Sequence, residues 1–373
     1  MQDREAYISL NLVQGLGAGS IRLLAEHLGP LDRIFRARPP QLREILGRYA
    51  TPETLSGIRE VADGKAAARE IRRAREAGAE ILTLGGPGYP QSLAQIHAPP
   101  PVLYVKGTLL PEDETAVAIV GTRSATPYGL DHAERFGEEL AALGITVVSG
   151  LAEGVDRAAH EGALKAGGRT VAVVGHGLST LYPRHHEELA ERVELSGCLL
   201  SEFPMEMQPH AANFPRRNRI IAGLSLGVLV VEAPARSGAL ITAKEAMEQG
   251  REVFAMPGPI SSPQSRGTNA LLKDGAKLVC QVRDILEELA PQLKDQLARH
   301  RAPGTNPVPG PGVDLTVEEA QVFQVVPVGA AAGVERIAQA TTLGPARLMS
   351  VLTGLELKGL VRQMPGRGFS RAN

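Results

Sequence analysis

The residues of this chain whose types and spacing could do chemistry are mainly arginines and glycines. The run Asn213-Phe214-Pro215-Arg216-Arg217-Asn218-Arg219 puts three guanidinium groups, an amide and an aromatic ring at the start of a helix-forming segment. Guanidinium groups grip phosphate through paired N–H donors, and a ring beside them offers a face on which a base can stack. Consecutive arginines on a helix point in different directions, so one or two of the three are expected in structural ion pairs. Tyr182-Pro183-Arg184-His185-His186 is a weaker cluster of the same kind.

A second group of residues lies where apolar runs end in glycine. Gly121-Thr122-Arg123-Ser124 follows one such run and leads into a helix, a placement that lets backbone N–H groups and the helix N-terminus face an anion. The loop lacks the G-x-G-x-x-G spacing, and the next strand ends in Ser149-Gly150 rather than the acid that holds a ribose hydroxyl. Arg123 instead offers a fixed cation, which suits a phosphodiester backbone. Gly150-Leu-Ala-Glu-Gly154, Gly175-His-Gly177 and Pro234-Ala-Arg-Ser-Gly238 close further strands, and Ser237-Gly238 is a strand-to-helix turn without the lysine of a nucleotide-binding loop.

Signatures of catalysis are scarce. Asp156 and His160 stand four apart on a helix, where a structural pair is commoner than an acid/base dyad. No metal-ligand, nucleophile-elbow or phosphate-loop motif occurs, so the expectation is a binding protein with no catalytic residue, no cofactor and no metal. Cys198 and Cys280 both close apolar runs and read as small hydrophobes rather than a disulfide.

The elements that must position these residues follow from periodicity. Apolar runs at 102–106, 116–120, 145–149, 170–174, 198–202, 227–232, 252–256 and 276–280 alternate with amphipathic helical segments. That pattern belongs to the α/β class, with a doubly wound, Rossmann-like parallel sheet buried on both faces and ligands at the carboxyl ends of its strands. Residues 1–85 read as a small helical domain of helix-hairpin-helix or SAM-like type. Its glycine hairpin at 12–21 is either a phosphate-facing turn or a plain interhelical connection. The sheet domain is expected over 86–300. Residues 301–312, rich in Pro and Gly, read as a linker, and 313–373 as a winged-helix-like domain ending in a hairpin around Pro365-Gly366. With only Arg347 and Lys358 on and just after its second helix, this last domain suits a protein contact or weak DNA binding.

The formal net charge of −1 provides no overall basic field, so nucleic-acid binding would rest on local clusters. No run approaches the roughly 18 apolar residues of a membrane span, and the expected location is cytoplasmic, without membrane contact.

Six blocks, GTRSATPYG (121–129), SGLAEGVDRAAHEGAL (149–164), YPRHHEELAE (182–191), NFPRRNRIIAGLS (213–225), SGALITAKEAMEQGREVFAMPG (237–258) and SRGTNALLKDGAKLV (265–279), together resemble the DNA-processing protein A family, DprA or Smf. The resemblance implies a homodimeric single-stranded-DNA-binding protein of natural transformation and recombination. Such a protein protects incoming DNA and helps load the RecA recombinase; double-stranded DNA is left open as a further ligand. Carried onto this chain, the DNA-binding residues would be Gly121, Thr122, Arg123, Arg184, Phe214, Arg216, Arg217, Asn218, Arg219, Ser237 and Gly238. The unit 268–279 falls at the end of the sheet, and Leu271, Leu272 and Leu278 are the expected dimer interface. The competing reading is a nucleotide-processing phosphoribohydrolase. Its P-G-G-x-G-T-x-x-E motif is not matched after Glu232, where the chain runs Ala233-Pro-Ala-Arg-Ser-Gly238.

Overall fold

Runs rich in Val, Ile, Leu and Ala become strands here because both of their faces are covered. The computed structural model describes residues 2–299, 315–327, 332–341, 343–358, 360–364 and 368–371. The strands of its large sheet are β1 (Ala79–Thr83), β2 (Val102–Gly107), β3 (Ala116–Val120), β4 (Thr146–Ser149), β5 (Thr170–Val173), β6 (Cys198–Ser201), β7 (Gly227–Val230), β8 (Glu252–Ala255) and β9 (Lys277–Leu278). Their order is β1-β2-β6-β5-β4-β3-β7-β8-β9. Pairing is parallel from β6 through β9 and antiparallel for β1–β2 and β2–β6. Val171 and Val173 of β5 face the buried cluster that includes Ile220, Ile221, Ala239 and Ala243 of helices Asn213–Gly223 and Gly238–Glu248. Ala172 and Val174 face Leu189, Ala190 and Val193 of helix Glu187–Ser196 on the other side. Alternate residues thus feed two cores, the doubly wound arrangement expected from the sequence.

All eight expected strands are present, and one was missed. Residues 79–83, read from sequence as the tail of the helical part, form β1, which pairs with β2 from Ala79↔Lys106 to Thr83↔Val102. The run is short and follows a highly charged helix, Lys65–Glu76, so no alternation announces it. This edge is also where the N-terminal helices join the sheet: Ile8, Ala67 and Ala74 pack with Ile81, Val102, Tyr104 and Met205. Each large apolar side chain buried in that seam contributes about 1.5–3 kcal/mol. One compact unit therefore extends through Leu289, and a second begins at Ala290.

In the second unit, helices Val317–Val325, Val334–Ala340 and Pro345–Leu357 pack with the strands β10 (Ala332–Gly333), β11 (Val361–Met364) and β12 (Gly368–Arg371), which are ordered β10-β12-β11. Helix, turn, helix and antiparallel β11–β12 pair make a winged helix. The linker 301–312 and the turn residues Pro365 and Gly366 lie outside the described residues. Arg347 is held by Glu318 at 2.8 Å and Lys358 by Glu319 at 2.7 Å. The cysteines differ from each other: Cys198 is buried, whereas Cys280 is exposed and not a core residue, its N–H donating to Asp284 Oδ2 at 2.8 Å in a helix cap.

Candidate functional site

Strand order reverses between β3 and β7, and the loops leaving those two strands part there. Crevices at such a switch point are where doubly wound sheets bind ligands. An open cleft of about 670 Å³ occupies this position, lined among others by Gly121, Thr122, Arg123, Phe214, Arg217, Asn218, Ser237 and Gly238. Eight of the eleven residues expected to bind DNA are thus brought to one cleft.

The loop after β3 is held rigidly. Thr122 N–H donates to the Glu232 carbonyl at 2.8 Å, and a Cβ on Gly121 would stand 2.9 Å from that same oxygen, so glycine is required by close approach. The Glu232 carboxylate accepts from Thr126 N–H at 2.8 Å and from Thr126 Oγ1 at 2.7 Å. Thr126 in turn caps helix Pro127–Ala142 by accepting from Gly129 N–H. Glu232 is therefore a buried brace that fixes the loop carrying Arg123. Across the cleft, Ser237 caps helix Gly238–Glu248, whose N-terminal end is favourable for an anion.

Arg123 is exposed, and its guanidinium lies 5.1 Å from the centroid of the Phe214 ring. Phe214 rests against Gly175, where a Cβ would come within 3.0 Å of Cδ1, and its ring is 5.8 Å from that of Tyr182. A cation, a half-buried ring and an exposed ring thus follow one another along one wall.

The other arginines divide sharply. Arg217 is buried and donates to the Val173 carbonyl. It flanks Gly150 together with Asp156, where a Cβ would be 2.6 Å from both Arg217 Nη2 and Asp156 Oδ2. Burial pushes the Asp156 carboxyl up, against the opposing pull of Arg217, and pushes Arg217 down to about 10. Arg217 is thus a charged floor to the cleft. Arg219 does not reach it: both of its terminal nitrogens bond Glu202 at 2.7 Å, and Nε donates to the Ala98 carbonyl. Arg216 is exposed outside the lining, over the Phe203 ring at 5.3 Å and near Gly17 of the glycine hairpin. Arg184 is exposed and also outside the lining. The helical screw explains the division, since positions 216, 217 and 219 face three directions.

Asp156 and His160 do not pair. His160 Nδ1 is 2.7 Å from Thr170 Oγ1, and Asp156 Oδ2 instead accepts from Ala152 N–H. Asn218, whose side chain donates to the Gly238 carbonyl, ties the two helices below the cleft. Arg236 and Tyr182 line the cleft although sequence reasoning did not choose them. Both stood inside segments singled out at strand ends, and Arg236 directly precedes Ser237, so its charge and position were the available signal.

The fold and site define a class: a doubly wound α/β protein with an arginine- and aromatic-lined cleft at its switch point, followed by a winged helix. Residues 80–290 match the family described as DNA recombination-mediator protein A, and 306–367 match the DprA winged helix domain. The chain belongs to the DNA recombination-mediator protein A family, DprA or Smf. It is 34% identical to Protein Smf of Synechocystis over 98% of both chains, and 50% identical to Protein Smf of Escherichia coli over 54% of each. Among solved structures it resembles DNA processing protein A of Streptococcus pneumoniae, with a TM-score of 0.66, 33% identity, and coverage of 77% of this chain and 98% of that one. It also resembles DNA processing protein A of Helicobacter pylori, described for its single-stranded DNA binding mode, with a TM-score of 0.52, 30% identity and coverage of 58% and 98%. Among the described residues no helix is long and apolar enough to cross a membrane.

Proposed function

We propose that this chain binds single-stranded DNA along the cleft between the loops after β3 and β7. The observation that carries the reading is Arg123 set over Phe214 beside Tyr182, which offers a phosphate-binding cation and stacking faces in one line. The Arg217 floor and the Arg236 rim add positive charge, and the described binding mode of the Helicobacter pylori relative supports the same ligand. Stacking suits unpaired bases, whose faces a duplex hides, so single strands are preferred over duplex. Arg219 and Asn218 serve the site by holding its helix in place, and Arg216 and Arg184 contact DNA only beyond the cleft.

In the cell this binding serves natural transformation and recombination, protecting incoming strands and handing them to RecA. A homodimer formed through the 268–279 edge presents two clefts to one strand. The winged helix, with Arg347 and Lys358 engaged by acids, serves a protein contact. The chain acts by binding rather than turnover. Glu232, the acid nearest the position of the phosphoribohydrolase motif, is occupied by Thr126, which weighs against that reading.

The test is fluorescence anisotropy with labelled oligo-dT and its duplex counterpart, run beside an assay for release of base or phosphate from common nucleotides. Single-strand binding weakened in Arg123→Ala and in Phe214→Ala supports this reading. Nucleotide turnover abolished by Glu232→Gln, without DNA binding, would replace it with the enzyme reading.

A further inference from the structure

Beside the cleft, three side chains converge that the DNA reading does not use. Glu153 belongs to the loop after β4, while His185 and His186 lie on the short turn Arg184–His186 before helix Glu187–Ser196. One ligand atom from each, a carboxylate oxygen and two imidazole nitrogens, all lie within 4.8 Å of one another. His185 Nε2 contacts Glu153 Oε1 directly, and His186 Nε2 is 3.4 Å from the same oxygen.

His186 is the informative member. Its side chain is only 4% exposed, and its Nδ1 lies 3.0 Å from the Leu151 carbonyl. A carbonyl can only accept, so Nδ1 carries a proton, and in the neutral ring Nε2 holds the lone pair. That Nε2 is buried, makes no hydrogen bond, and faces Glu153. An imidazole whose outer nitrogen is fixed by a carbonyl, with its inner lone pair aimed at a carboxylate and a second imidazole, is how proteins present histidine to a metal. An unmet buried lone pair is costly, and a cation would satisfy it.

We propose that Glu153, His185 and His186 form a binding site for a divalent transition metal of the zinc type. Two nitrogens and one oxygen suit zinc, with water completing its shell on the exposed side of His185 and Glu153. The ion links the loop after β4 to the segment before helix Glu187–Ser196, and so braces Ala152 and Tyr182, which line the cleft. Its role is positional: no bond is made or broken at the metal. Ion binding at this site does not depend on the DNA ligand.

Untagged full-length protein carrying Cys280→Ser, to remove the exposed thiol, is titrated with zinc chloride by calorimetry, alone and with His185→Ala or Glu153→Gln added. His185 is largely exposed, so its removal leaves the fold intact. One zinc per chain is expected, with affinity reduced at least about tenfold by either substitution. Zinc should also raise the melting temperature of the parent protein but not of the His185→Ala variant. Absence of binding in the parent, or equal affinity in parent and His185→Ala, would overturn the assignment and leave Glu153 as a plain ion-pair partner of the two histidines.

Discussion

The Arg123 guanidinium lies 5.1 Å over the Phe214 ring although one residue sits on the loop after β3 and the other in the first turn of helix Asn213–Gly223. The pair combines the two forces a single strand offers, charge on its phosphates and flat faces on its bases, and the two can be measured separately. Arg123→Ala should weaken oligo-dT binding by about 1.5–3 kcal/mol and flatten the salt slope of log K by about 0.7, the share of one phosphate. Phe214→Ala should cost about 1–3 kcal/mol with little change in slope, because stacking releases no counterions. Anisotropy titrations at four salt concentrations decide it; equal slope changes in both variants would mean the ring acts only by positioning Arg123.

Arg219 makes a different prediction from its neighbours. Its fork holds the buried Glu202 carboxylate, so Arg219→Ala strands a charge and should cost about 3–5 kcal/mol, lowering Tm by about 10 °C. Replacing both partners together, Arg219→Met with Glu202→Leu, should recover much of that loss. If Arg219→Ala instead melts normally and binds DNA poorly, the arginine belongs to the interface after all.

His160 sets an acid limit on stability. Burial lowers its pKa to about 3 from an ordinary value of 6.5, so below pH 6.5 the unfolded chain takes up a proton that the folded one refuses. Stability from the neutral ring is therefore full above pH 6.5 and falls as pH drops toward 3. His176, lowered in the same direction by burial, adds to the trend. His160→Asn keeps a donor for Thr170 without a titratable ring, and its Tm should fall less than that of the parent between pH 7.5 and pH 5. Parallel declines in differential scanning calorimetry would rule His160 out as the cause.

The dimer proposal is sharpest at Leu278. This residue is 49% exposed on the edge strand β9, whereas Leu271 is half-buried against its own core. Leu278→Arg should give a folded monomer by light scattering that binds long oligonucleotides more weakly and short ones almost normally, since linking two clefts gains 10² or more in avidity. A Leu278→Arg protein that stays dimeric would move the interface elsewhere, and equal losses at both lengths would mean that one strand does not bridge two clefts. Leu271→Arg is the poorer test, because it would disturb packing first.

What the sequence determined by itself is the part governed by local pattern. Near-continuous apolar runs specified eight strands, and glycine at their ends marked loops that line the cleft, because period and chain reversal are decided by neighbours a few residues apart. Gly121, Thr122 and Arg123 could be picked out on that ground. The tertiary structure alone decided which charge of a cluster is spent inside and which faces the cleft. Arg216, Arg217 and Arg219 are alike in sequence, yet one lies over Phe203, one forms the floor of the cleft and one is locked to Glu202, because a helix turns each toward a different partner. The same holds for Glu153, His185 and His186, which no spacing joins. Contacts between remote segments form only when the chain closes on itself, and no local pattern records them.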